Sequence, residues 1–166
     1  MNLGEIYNYK NKLMEIILTD ADIVRLIDDS VPLNDSAKLM YSKVFPYQYI
    51  PDTVEEAGTF VCFDVDVTRS MNKTKYNPMI YVWVISHKSL LKLDAGGLRV
   101  DTLTSKIVEQ LNGNRYFGLG ELDFYSAKRY APTEAYQGKV LTFDAVEFNR
   151  SSPTGKPIPS NREKGV

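Results

Sequence analysis

The chain has 166 residues, an apolar fraction of 43%, a charged fraction of 25% and a net charge of −1. This composition is typical of a globular domain that buries a sizeable core, and the near-neutral charge excludes a globally basic surface for nucleic acid or anionic membrane. No apolar run approaches the roughly 20 residues of a spanning helix, and the first residues lack the pattern of a signal peptide. Because Cys62 is the single cysteine, no intrachain disulfide forms, and a reducing compartment is favoured.

Two helices are predicted at the start of the chain. Apolar residues at near-helical spacing predict an amphipathic helix over residues 3–18. Thr19 is the predicted N-cap of a second, short helix, with Asp22 three residues later as a variant of the capping box. This helix is expected to end before Pro32.

Residues 30–58 show neither helical nor strand periodicity. Three prolines fix the backbone and remove hydrogen-bond donors, so the sequence predicts an extended arm. Its aromatic residues are Tyr41, Phe45, Tyr47 and Tyr49. A connection this long is uncommon in a compact domain. Two interpretations remain open and are compatible: a loop pinned on its own core by these aromatics, or an arm that docks on a neighbouring subunit.

Two strands form the predicted centre of the sheet. Residues 60–68 alternate between apolar residues on one face and Asp64, Asp66 and Thr68 on the other, which predicts one buried and one wetter face. A polar connector over residues 70–77 indicates a long hairpin. The following strand, residues 79–87, is apolar on both faces and is therefore expected to be covered on both sides.

The remaining pattern completes an α+β fold. An apolar stripe from Val100 to Leu111 predicts a helix that packs on the sheet, with Asp101 at its N-cap or in its first turn. Residues 121–125 and 139–148 are the last predicted strands. The prediction is a single α+β domain over residues 1–148, with N-terminal helices and a small, mostly antiparallel sheet.

The last 18 residues, 149–166, carry a net charge of +3, which leaves −4 on the rest of the chain. Their low apolar content predicts a flexible C-terminal tail. It is either a disordered solubilising segment or an arm that orders against a partner.

Few residues offer catalytic chemistry. Asp64 and Asp66 share one strand face, and paired strand carboxylates can hold Mg²⁺ in nucleases. A metal-dependent nuclease is therefore the remote alternative, although solvated or interfacial carboxylates are the favoured interpretation. His87 and Cys62 lie in predicted core strands, where each is expected to be structural. The prediction is a protein without catalytic residues, metal or cofactor.

Several segments together resemble a neck protein of tailed bacteriophages and prophages. The segments are 44–52, 63–67, 97–101, 118–120, Tyr136-x-Gly138 with 141–143, and 146–149. The most similar type is the tail terminator, also called the tail completion protein. The resemblance spans residues 41–149, and its motifs are structural rather than catalytic. The arm at 30–58 and the tail at 149–166 have no counterpart in it, and they also suit a head-closure or adaptor ring.

The resemblance implies a structural protein of the virion neck, assembled in the cytoplasm of the host bacterium. It implies a homo-oligomeric ring, commonly a hexamer, that ends the tail tube and docks on the head connector or adaptor proteins. DNA would pass transiently through its lumen, and no membrane is involved.

The arm and the long hairpin are the predicted subunit contacts. In the arm they are Tyr41, Phe45, Tyr47 and Tyr49, and in the hairpin they are Met71, Lys73, Lys75 and Tyr76. Arm length and aromatic density motivate this hypothesis, since aromatic residues are enriched at the centres of interfaces.

Overall fold

The computed structural model describes residues 6–51, 57–69, 75–118 and 120–148. Within these residues no helix is both long and apolar enough to cross a membrane. The helices are α1 (Ile6–Thr19), α2 (Ala21–Ile27) and α3 (Arg99–Leu111), with short 3-10 helices at Leu33–Leu39 and Lys88–Leu90. The strands are β1 (Val44–Phe45), β2 (Thr59–Arg69), β3 (Lys75–His87), β4 (Asp123–Tyr130), β5 (Tyr136–Asp144) and β6 (Glu147–Phe148).

The α+β fold class predicted from the sequence is confirmed. The strands form one sheet in the order β1-β2-β3-β5-β4, and β6 pairs with the start of β3. All pairings are antiparallel except that of β1 with β2. The central pair is the predicted long hairpin, which runs in unbroken register from Thr59 opposite Ser86 to Arg69 opposite Tyr76.

One face of the sheet carries the three α-helices. Val61, Phe63 and Val65 of β2 point into this layer and are almost fully buried, as their alternation predicted. Asp64 and Asp66 lie on the opposite face, called here the open face. The largest hydrophobic core therefore lies between the helices and this side of the sheet.

The cap of α2 differs from the prediction. Asp20, not Thr19, is the N-cap, because its carboxylate accepts hydrogen bonds from the amides of Asp22 and Ile23. Thr19 ends α1, and its hydroxyl donates back to the carbonyl of Glu15. Asp101 lies in the first turn of α3, where Leu98 occupies the N-cap.

The arm contains more secondary structure than the sequence suggested. Residues 33–39 form a 3-10 helix and Val44–Phe45 pair with Val61 and Cys62, so the prediction of a wholly extended segment is wrong there. The physical reason is tertiary packing. Leu39 and Val44 are buried in the helix-side core, which a scan for periodicity cannot detect in segments this short.

The last strands also differ in their bounds. β4 extends to Tyr130, five residues beyond the predicted end, and β5 starts at Tyr136. A bulge between Phe124 and Ser126 interrupts the alternation of β4, and most of its side chains are exposed. Since neither face of β4 is regularly apolar, its sequence carries little strand signal.

Candidate assembly surface

The arm crosses one end of the open face. Phe45 stacks on Tyr49 with ring centroids 4.2 Å apart, and Tyr49 packs on Phe60 of β2 at 5.6 Å. Two hydrogen bonds hold the arm here, from Lys10 Nζ to the carbonyl of Pro46 (2.9 Å) and from Gln48 Nε2 to the hydroxyl of Tyr130 (2.7 Å). It therefore bridges from α1 to the far edge strand β4.

These contacts divide the four arm aromatics into two groups. Phe45 is 5% exposed and, with Tyr49, belongs to a second, smaller core on the open face. Tyr41 and Tyr47 are 62% and 46% exposed. Phe45 and Tyr49 thus bind the arm to its own chain, whereas Tyr41 and Tyr47 remain presented to solvent.

Tyr41 adopts a left-handed backbone conformation with φ of 56°. Its amide donates to the carbonyl of Val44 (2.9 Å), which closes a tight turn before β1. This conformation costs roughly 1–2 kcal/mol for an L-residue with a Cβ. The fold therefore holds a large, exposed aromatic side chain at a strained position.

Two of the four predicted hairpin contacts, Lys75 and Tyr76, lie among the described residues. Met71 and Lys73 lie outside the described residues. Lys75 starts β3 and pairs with Phe148 through its backbone. Tyr76 is half-buried and packs against the helix-side core.

The far end of the open face is acidic. Rungs of the sheet place Asp64 and Asp66 on β2 and Asp144 on β5, next to Asp123 at the start of β4. Asp64 Oδ1 lies 2.7 Å from Lys10 Nζ and also accepts from the amide of Val65 (2.8 Å). Among the described residues no three acidic, histidine or cysteine side chains form a group that could hold a metal ion. Asp64 is therefore an ion-pair partner in this structure, and nothing in it favours the nuclease alternative.

Both remaining candidate residues are buried. His87 accepts a hydrogen bond at Nδ1 from the amide of Ser89 (3.3 Å), so it caps the short 3-10 helix. Its ring meets Tyr136 edge-on at 5.3 Å. Cys62 is fully buried, and its Sγ lies 3.7 Å from the carbonyl oxygen of Tyr49.

Burial raises the pKa of the Cys62 thiol from 9.0 to about 11. Between these values the unfolded chain has lost the thiol proton and the folded chain retains it. The stability that the protonated Cys62 thiol adds to the folded state is therefore fully present below pH 9 and is lost as the pH rises through about 11. We expect wild type to lose about 2–3 kcal/mol more stability than Cys62→Ala across this window. Urea unfolding of both proteins at a series of pH values measures the difference, and parallel curves would contradict it.

An open cleft of about 390 Å³ lies beside Arg99, Arg25 and Asp94. Arg99 donates from Nε to the carbonyl of Leu90 (2.9 Å) and from Nη1 to that of Leu26 (2.8 Å). Its guanidinium thus ties α3 to α2 and to the loop after β3. This role is structural.

Strand β4 is the surface that sequence reasoning missed. It is the last strand of the sheet, and Tyr125 is 67% exposed while Phe124 is 39% exposed. Phe124 meets Phe143 edge-on at 5.6 Å, so only part of its ring is covered. The adjacent aromatic residues Phe124 and Tyr125 were the available signal.

A protein-family model matches most of the chain. The model of the YomW family matches residues 20–145, which run from the N-cap of α2 to the end of β5 and include the arm and both faces of the sheet. The chain belongs to the YomW family. None of the curated proteins matches this YomW-family chain.

A solved structure shares the fold of this YomW-family protein. It is a chain from the virion of a native gene transfer agent particle, with a TM-score of 0.57 and 18% sequence identity. The alignment covers 86% of this chain and 97% of that chain. At this identity the likeness establishes a common fold. A second solved chain aligns with a TM-score of 0.43 and 10% identity, over 83% of this chain and 94% of that chain, which is too distant to support an argument.

Proposed function

We propose that this YomW-family protein is a non-enzymatic structural protein of a phage or prophage virion. The observation that carries the proposal is the fold shared with a virion chain of a gene transfer agent, which covers nearly that whole chain. The neck-protein resemblance of residues 41–149 points to the same class independently. The chemistry agrees, since Asp64 is engaged by Lys10 and both His87 and Cys62 are buried.

Within the virion, the proposed place is the neck. There the protein forms a ring, with a hexamer as the expected state, that terminates the tail tube and joins it to the head connector. A head-closure or adaptor ring of the same connector is the second candidate, because it would use the same arm and the same non-catalytic fold.

Particle assembly without the protein distinguishes the two roles. Loss of a terminator leaves tail tubes that grow beyond their normal length, whereas loss of an adaptor leaves tails of normal length that do not attach to heads. Electron microscopy of lysates from a deletion strain measures both properties. Normal particles from that strain would overturn the proposal in either form.

The exposed aromatics of the arm provide a test of ring formation. We expect the double variant Tyr41→Ser, Tyr47→Ser to remain folded, because both side chains are exposed and replacing Tyr41 removes no buried contact. Loss of two interface aromatics should abolish the ring, since buried tyrosines commonly dominate interface energetics. Native mass spectrometry and electron microscopy across a concentration series measure the oligomer.

The matched control is Tyr116→Ser, which removes a tyrosine that is 72% exposed but lies outside the arm. Its ring should match that of wild type. If the double variant assembles as well as Tyr116→Ser, the arm is not a subunit contact.

A further inference from the structure

The far end of the open face carries three carboxylates on one rung of the sheet, called here the acidic rung. Asp66 on β2 is level with Met79 on β3, which is level with Asp144 on β5 and then with Asp123 on β4. Asp123 and Asp144 lie directly opposite each other on adjacent strands, where like charges destabilise a sheet. None of the three carboxylates forms an ion pair with another described residue. A cationic partner at the acidic rung would relieve this repulsion.

The width of the acidic rung suits a peptide with several cations rather than one bound ion. Adjacent strands lie about 4.8 Å apart, so two strand spacings separate the backbones of Asp66 and Asp144. In the part of the chain that the structure describes, no group of three potential ligands could hold a metal ion. Separate basic side chains of one peptide can reach carboxylates on both sides of β3, which a single ion cannot.

An apolar strip runs from the acidic rung along the centre of the open face. It consists of Met79, Tyr81 and Trp83, which alternate on β3 with their side chains on this face and are each half-buried. Tyr81 stacks on Trp83 with ring centroids 5.9 Å apart, and its hydroxyl donates to Met79 Sδ (3.1 Å). Because proline-rich segments dock on surfaces lined by aromatic residues, the strip and the rung together fit a basic, proline-containing peptide.

The last 18 residues of this chain, 149–166, have that chemistry. They contain four basic residues and one acidic residue, which gives the net charge of +3. Lys156 directly precedes the segment Pro157-Ile158-Pro159. Prolines restrict a free peptide, so less entropy is lost when it docks. The charge of the tail therefore matches the three carboxylates, and its prolines match the apolar strip.

The tail leaves the sheet close to the acidic rung. Phe148, the last described residue, pairs with Lys75 at the start of β3. Four residues along β3 separate Lys75 from Met79, a distance of about 13 Å in a strand. The seven residues that precede Lys156 can span about 23 Å. The tail is thus long enough to turn back over the open face of its own sheet.

We propose that the C-terminal tail docks on the open face of its own chain, with Lys156 at the acidic rung and residues 157–159 on the apolar strip. The contact neutralises the rung and covers the strip. It needs no second subunit, so it goes beyond the proposed ring function and stands or falls independently of it.

Trp83, the single tryptophan of the chain, reports this docking in the full-length protein. Ser160→Cys places a thiol directly after the proline segment, and a nitroxide attached there quenches tryptophan emission only at close range. Cys62 is buried, so the label is directed to the tail. We expect strong quenching of Trp83 at low ionic strength and weaker quenching in about 1 M salt, because salt screens exposed charges.

Two double variants of the labelled chain separate the contact from a general effect of charge. Asp66→Asn with Asp123→Asn removes two exposed charges of the acidic rung and should abolish most of the quenching. Asp29→Asn with Asp94→Asn removes two exposed charges beside the cleft at Arg99 and should leave the quenching unchanged. Circular dichroism verifies that both variants are folded. Equal quenching in the two double variants would overturn the proposal.

A mixture of chains identifies whose tail is bound. A labelled Ser160→Cys chain that also carries Trp83→Phe has no tryptophan, so it can quench only the Trp83 of an added wild-type chain. We expect little quenching in this mixture, and quenching within the single labelled chain that does not change on dilution. Quenching in the mixture as strong as within one chain would show that the tail docks on a neighbouring copy, and it would overturn docking on its own sheet.

Discussion

Replacing Phe60 with Ala should release the arm from the open face. The Phe60 ring is 1% exposed and lies between three aromatic partners, Phe45, Tyr49 and Tyr136, with the Lys43 ammonium 4.6 Å from its centre. Truncating a buried phenylalanine costs about 3–5 kcal/mol. Because Phe45 and Tyr49 of the arm both contact the Phe60 ring, much of this loss should appear as detachment of the arm.

Limited proteolysis with chymotrypsin measures that detachment, since Tyr47 and Tyr49 become cleavable when the arm leaves the sheet. Phe63→Ala is the matched control. It truncates the same residue type in the same strand, equally buried but facing the helices. We expect a similar loss of unfolding free energy with the arm still protected. Equal cleavage rates in the two variants, measured at matched stability, would show that Phe60 does not hold the arm.

Gly138→Ala should be among the most destabilising single substitutions in the chain. A Cβ at this position would lie 2.1 Å from the carbonyl oxygen of Val84 and 2.8 Å from Ile85 Cγ2, so the backbones of β5 and β3 would have to move apart. Overpacking of this kind costs about 3 kcal/mol or more when backbone must shift. Equilibrium urea unfolding measures the loss, and insoluble expression is the extreme form of the same result.

Gly97→Ala provides the comparison. Gly97 has a φ of +82° and open space around its Cβ position, so only the backbone conformation opposes the substitution. Its cost should be about 1–2 kcal/mol. If Gly138→Ala were tolerated as well as Gly97→Ala, the close approach of β5 to β3 would not govern the stability of the sheet.

The two ends of the open face are different surfaces. One end is covered by the chain's own arm, whose Phe45 and Tyr49 pack on Phe60 of β2. The other end carries the aspartates and remains uncovered by described residues. Tyr41 and Tyr47 of the arm are exposed, and so are Phe124 and Tyr125 of β4.

Local chemistry in the sequence was sufficient for several features. The alternation of Val61, Phe63 and Val65 with Asp64 and Asp66 determined which face of β2 is buried, because side chains in a strand alternate with a period of two. The stripe from Val100 to Leu111 likewise determined the buried face of α3. The α+β class followed from the order of such elements.

Only the tertiary structure decided what the arm packs against and which strands lie at the edges of the sheet. Whether Phe45 faces its own core or a neighbour depends on Phe60 and Tyr136, which are distant in sequence, and no local period records that choice. The position of β4 at the end of the sheet depends on the pairing of β3 with β5, a contact between segments about 55 residues apart. Strand order is a property of long-range pairing. The sequence by itself therefore determined the α-helices, the central strands and their buried faces, and the fold determined the course of the arm and which strands lie at the edges of the sheet.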